Sequence, residues 1–222
     1  MDLLRLGDLC VLDVEGDSYV SSEGVLDTNV FANVPQAGDR VNCHQSAFVI
    51  RLQQNYAAEN KLRRKIEERG MTRVQAQQAF DPEMRQLFDA RENEKRINAA
   101  EFDFKKGLEV RYGMIVQLQH KISEKYMMVT RQRMETRDGR KVVIDRNAGE
   151  AAWFRIIPSL RVHSEGEPVH LGDRVIFESV ESGLQLCAAP SGADLSREVF
   201  GGRLKEATPF RKCLAHSALR LP

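Results

Sequence analysis

A mainly β fold of three equivalent units, one interrupted by a helical arm over about residues 51–106, is predicted by three observations. Residues 1–50 and 108–222 carry short apolar runs punctuated by Gly, Ser, Asn and Asp, the texture of strands joined by turns. A local pattern recurs: Leu6-Gly7-Asp8-Leu9-Cys10-Val11-Leu12 is echoed by Tyr112-Gly113-Met114-Ile115-Val116-Gln117-Leu118 and by Leu171-Gly172-Asp173-Arg174-Val175-Ile176-Phe177. Gly113 and Gly172 stand 59 residues apart whereas Gly7 and Gly113 stand 106 apart, and the excess of 47 is close to the length of the helical stretch. Three units closed around one axis expose no sheet edge, which describes a β-trefoil. Gly-Asp turns repeating without such closure would instead fit a β-sandwich.

Each element follows from its residues. Leu9-Cys10-Val11-Leu12, Met114 to Leu118, Val142-Val143-Ile144 and Val175-Ile176-Phe177 are strand-length apolar runs. Two units share a further strand after a polar turn, at Ser123 to Met128 and at Glu181 to Leu186. In the arm, Leu52, Tyr56, Leu62 and Ile66 recur at helical spacing up to Gly70, a residue suited to ending a helix. Thr72-Arg73-Val74-Gln75 has the form of a capping box. Asp81-Pro82-Glu83 puts an N-cap residue before a first-turn proline, so the second helix breaks or restarts there. Met84, Leu87, Phe88, Ile97 and Ala100 continue a helical stripe.

Composition narrows the function. With 33 Lys+Arg against 32 Asp+Glu, the formal charge of +1 supplies no bulk field toward nucleic acid or an anionic membrane. Met1 to Leu6 is too short for a signal peptide, and no apolar run approaches the roughly 18 residues that span a bilayer. Cys10, Cys43, Cys187 and Cys213 are far apart with no C-x-x-C pair, so reduced thiols of a cytosolic domain are expected. His44, His120, His163, His170 and His216 lack metal-site spacing, and neither a nucleophile elbow nor a phosphate-cradling glycine loop occurs. Neither an enzyme nor a cofactor site is expected. Trp153 reads as a core plug rather than a sugar-stacking platform.

The segment from Tyr112 to His120, followed by Ser123 and Lys125-Tyr126, resembles the N-terminal domain of inositol trisphosphate receptors. So do Ala148-Gly149-Glu150, Trp153-Phe154, Ile156 and Pro158, the run Leu171 to Val175, the opening Leu6 to Cys10, and the Phe48 to Tyr56 entry into the arm. Gly149-Glu150-Ala151-Ala152-Trp153 would also suit the related first domain of ryanodine receptors. The resemblance implies a single regulatory trefoil over residues 1–222, the first domain of a longer calcium-release channel at the cytosolic face of the endoplasmic reticulum. Such a suppressor domain does not hold the ligand. It lowers ligand affinity by packing on the following inositol trisphosphate-binding core of the same chain, and it meets neighbouring subunits of a homotetramer.

The resemblance also points to contacts. Val25, Leu26 and Asp27, in the turn Ser22-Glu23-Gly24-Val25-Leu26-Asp27, match a family loop that faces the ligand-binding core. Val25 and Leu26 are exposed contacts if the turn projects, and inward strand positions otherwise. Leu160 and Arg161 form a second contact, with Leu160 where the family usually carries an aromatic residue, and His44 stands near an expected basic position. Lys61-Leu62-Arg63-Arg64-Lys65 could bind an acidic partner such as calmodulin, or form a solvated helix face. A carbohydrate-binding trefoil like those of protein O-mannosyltransferases is the alternative, although it predicts no charged arm.

Overall fold

The computed structural model describes residues 2–14, 18–33, 43–135, 138–160, 162–190, 197–202 and 210–215. The chain is mainly β and divides into two compact units, residues 1–53 with 106–222, and Gln54–Lys105.

The first unit contains twelve antiparallel strands among the described residues. They are β1 (Leu9–Val14), β2 (Ser18–Ser21), β3 (Phe31–Asn33), β4 (Ala47–Leu52), β5 (Ile115–His120), β6 (Tyr126–Arg133), β7 (Arg140–Asp145), β8 (Phe154–Pro158), β9 (Val175–Ser179), β10 (Gln185–Pro190), β11 (Arg197–Gly202) and β12 (Phe210–Ala215). One helical turn, α1 (Cys43–Ser46), precedes β4. Six strands pair in a closed cycle: β1 with β4, β4 with β5, β5 with β8, β8 with β9, β9 with β12, and β12 with β1. Closure satisfies backbone groups on both sides of every strand in the cycle. The other six form hairpins β2–β3, β6–β7 and β10–β11, with β11 also pairing β3 and β7.

Repeated sequence becomes repeated geometry at three turns. Gly7, Gly113 and Gly172 have φ of 92°, 89° and 95°, a left-handed backbone that glycine adopts without strain. The next residue closes each turn in the same way: Asp8 N–H donates to Arg5 O, Met114 N–H to Arg111 O, and Asp173 N–H to His170 O, each at 3.1 Å. Three residues before each glycine lie Leu4, Val110 and Val169, all buried. Their amides donate in a ring, Leu4 to Val169 O at 2.9 Å, Val169 to Val110 O at 2.9 Å, and Val110 to Leu4 O at 2.8 Å. The strands then bury Cys10, Leu12, Val116, Leu118, Phe154, Ile156, Val175 and Phe177. Fully burying one such aliphatic or aromatic side chain contributes about 1.5–3 kcal/mol.

Two expectations are corrected here. Leu52 lies at the end of β4, opposite Val116 of β5, rather than in a helical stripe; the run AFVIRL is β-branched and aromatic and finds strand partners on both edges. Trp153 is half-buried after the 3-10 turn Gly149–Ala152. Among the described residues, the fully buried Phe and Tyr side chains are Phe48, Tyr112, Phe154, Phe177 and Phe200.

The second unit contains α2 (Ala57–Glu68), α3 (Arg73–Gln78) and α4 (Pro82–Lys105). At the end of α2, Gly70 N–H donates to Glu67 O at 3.0 Å and Met71 N–H to Ile66 O at 3.2 Å, the crossed bonds of a Schellman stop. Thr72 caps α3 reciprocally with Gln75, and α4 restarts at Pro82 with Asp81 Oδ1 accepting from Glu83 N–H at 2.8 Å. Leu62, Ala76, Met84 and Leu87 form the unit's core with Ile66 and Phe88 against them. Around α4, the other buried positions are Asn98 and Phe102. Ile97 and Ala100, expected on the apolar stripe, are exposed instead, because the helical period carries them off the face that Met84 and Leu87 begin.

Candidate docking surface at the Gly24 turn

The residues between β2 and β3 form a tight, projecting turn. Its base is tied by Ser22 N–H to Gln45 O at 2.9 Å and by Ser22 Oγ to Asn29 O at 2.8 Å. Across the turn, Gly24 N–H donates to Asp27 O at 3.0 Å. Each carboxylate in it accepts from a turn amide: Glu23 Oε2 from Asp27 N–H at 3.0 Å, and Asp27 Oδ1 from Asn29 N–H at 2.9 Å. The amide of Asn29 therefore holds the Asp27 carboxyl below the usual carboxylate range. Beyond the turn, Thr28 O accepts from Ile144 N–H at 2.8 Å, so one end is tied to α1 and the other to β7.

The anchored turn lifts two aliphatic side chains into solvent. Val25 is 67% exposed and Leu26 90% exposed, so they are not inward strand positions. Their backbone is supported from beneath by the turn joining β5 to β6. Gly24 has φ of 82°, and a Cβ there would lie 2.8 Å from His120 Cε1 and Nδ1 and 3.0 Å from Ser123 Cβ. Lys125 Nζ reaches Val25 O at 3.5 Å, and Ile122 in the same supporting turn is 47% exposed. His120, Ser123 and Lys125 are the residues that sequence reasoning missed here. His120 and Lys125 stand inside the segment that carried the resemblance, but no local pattern tells which distant turn they support.

The remaining candidates are placed apart from this turn in the chain. Leu160 follows β8, where Ser159 N–H donates to Arg174 O at 3.1 Å, and it is 48% exposed. Val162, 75% exposed, was not anticipated, and Arg161 lies outside the described residues. The side chain of His44 is exposed on α1 while its carbonyl faces His120. On α2, Leu62 is a core residue that interrupts the basic run. Lys65 pairs with Glu83 at 2.9 Å and Arg64 with Glu68 at 3.7 Å, so part of that charge is already engaged.

Among the described residues, no three His, Cys, Asp or Glu side chains are grouped to hold a metal ion, and no helix is long and apolar enough to cross a membrane. What the turn presents to solvent is an aliphatic pair, Val25 and Leu26.

Residues 1–198 match the family model described as inositol 1,4,5-trisphosphate/ryanodine receptor. The chain is also 33% identical over 99 residues, 43% of its length, to the inositol 1,4,5-trisphosphate receptor itr-1 of Caenorhabditis elegans. That alignment covers 3% of the relative, so the chain spans a small part of that receptor's length. The family is one of ion-channel receptors and not of enzymes, and on a match over residues 1–198 the chain belongs to the inositol 1,4,5-trisphosphate/ryanodine receptor family.

Proposed function

We propose that the chain is the N-terminal suppressor domain of an inositol trisphosphate-gated calcium-release channel, a β-trefoil of residues 1–222 with an inserted helical arm. The closed cycle of six strands with three hairpins supports the trefoil reading. The regulatory reading rests above all on one observation, the exposed Val25–Leu26 pair on a turn whose two carboxylates accept from its own amides. A rigid aliphatic pair gains about 25 cal/mol for each Å² of apolar surface it buries against a partner. It loses little conformational entropy on docking. The partner we assign is the ligand-binding core of the same polypeptide, with neighbouring subunits of a homotetramer around it, at the cytosolic face of the endoplasmic reticulum.

Docking that favours the low-affinity arrangement of the core lowers apparent ligand affinity by the coupling free energy. Such couplings are typically about 1–3 kcal/mol, or roughly 5- to 150-fold. The deciding measurement is inositol trisphosphate binding to the full-length receptor with and without residues 1–222. Deletion is expected to tighten binding within that range. Equal affinity, or a receptor that binds no inositol phosphate, would defeat the suppressor reading.

A further inference from the structure

We propose that His120 is the positioning residue of the Gly24 turn: its neutral imidazole fixes Val25 and Leu26 in the projecting conformation, and protonating that ring releases them. The importance of this for ligand affinity rests on the docking function proposed above; the positioning itself does not.

His120 ends β5 and is fully buried. Its Nε2 lies 3.1 Å from His44 O. A carbonyl oxygen only accepts, so Nε2 carries the proton in the neutral ring. Nδ1 is then the acceptor, and Ser123 supplies both donors, its Oγ at 2.9 Å and its backbone N–H at 3.4 Å. Phe48 of β4 packs against the ring with centroids 5.5 Å apart. The edge formed by Cε1 and Nδ1 is the surface on which Gly24 rests. One imidazole thus joins α1, β4, the turn after β5, and the Gly24 turn.

A second proton, on Nδ1, reverses the bond to Ser123: Oγ must turn from donor to acceptor, and the Ser123 backbone N–H at 3.4 Å loses its acceptor and faces a second donor. Lys125 adds repulsion to an imidazolium. Of the carboxylates on the turn, Glu23 and Asp27 are committed to turn amides, and His44 offers its carbonyl while its own ring is exposed. Burial, foremost, with Lys125 holds His120 below the ordinary imidazole range against the opposing pull of backbone groups at His44 and Gln45. The closed seat beneath Gly24 therefore disfavours the charged ring, and opening it admits the water that an imidazolium needs.

The test is amide hydrogen exchange on the 222-residue chain, reading protection factors at Gly24, Asp27 and Asn29 while the His120 ring nitrogens are followed by NMR. Protection is expected to fall about tenfold or more as pH drops from about 7.5 to about 5, in step with ring protonation. His120→Asn, which keeps an acceptor near Nδ1 and takes up no proton, is expected to hold the turn with no pH response. Ser123→Ala is expected to loosen it at both pH values. Protection that ignores ring protonation, or a His120→Asn variant as pH-responsive as the parent, overturns the proposal. If protection follows the ring but ligand affinity of the full-length receptor does not, positioning stands and the docking function falls.

Discussion

The amide of Val110 donates to the carbonyl of Leu4 at 2.8 Å, although the two residues belong to repeats separated by the whole helical unit. With Val169 they form a buried ring of three backbone hydrogen bonds, each member three residues before a left-handed glycine. The ring is where the three repeats meet, and its three side chains are all buried.

Truncation there is expected to be costly. Leu4, 2% exposed, is predicted to lose about 2–5 kcal/mol on substitution by alanine, from lost burial and the cavity left behind. Because Val169 is a direct neighbour, the double variant Leu4→Ala/Val169→Ala should depart from additivity by about 0.5 kcal/mol or more. Urea unfolding followed by circular dichroism measures both, and strict additivity would show that the two side chains do not share a cavity.

Glu124 has φ of 56° at the turn where its counterpart in the third repeat is Gly183, with φ of 65°. The bonding is equivalent: Glu124 N–H donates to His120 O at 2.9 Å, and Gly183 N–H to Ser179 O at 2.8 Å. A left-handed backbone costs an ordinary residue about 1–2 kcal/mol, only partly offset by the entropy that glycine loses. Glu124→Gly is therefore predicted to raise stability by up to about 1 kcal/mol, visible as a higher unfolding midpoint at unchanged m-value.

In the helical unit, burial pushes the Glu59 carboxyl up, but hydrogen bonds from Arg73 and Arg91 outweigh it and hold the group below the usual range. Its contribution is thus fully present above the ordinary glutamate value of about 4.3 and is lost as pH falls through the lower folded value. Exchange protection along α2 and α4 should drop selectively in that acid window. Arg91→Ala should raise the Glu59 titration toward the ordinary value and cost about 1–3 kcal/mol. A Glu59 carboxyl that titrates unchanged in the variant would contradict this pairing.

Val25→Ser and Leu26→Ser remove exposed side chains, so each should change stability by no more than about 0.5 kcal/mol. In the full-length receptor the pair is expected to tighten inositol trisphosphate binding about fivefold or more. Calorimetry of ligand binding to parent and double variant separates these effects, and unaltered affinity with an intact fold would remove Val25 and Leu26 from the docking surface.

Much of this protein is legible locally. Strand runs such as Val175 to Phe177, the left-handed glycines at the heads of three repeats, the Schellman stop at Gly70, the reciprocal Thr72–Gln75 cap and the restart at Pro82 are each specified within four or five residues. Backbone sterics and short-range hydrogen bonds act over that distance, so the sequence by itself determined a mainly β chain with an inserted helical stretch. Tertiary structure decided which sides of those elements are covered. It drew Leu52 into a strand between β1 and β5, left Ile97 and Ala100 in solvent, and exposed Val25 and Leu26 by seating Gly24 on His120. Those outcomes depend on partners brought together by chain closure, and periodicity records only that a residue repeats, not what comes to lie against it.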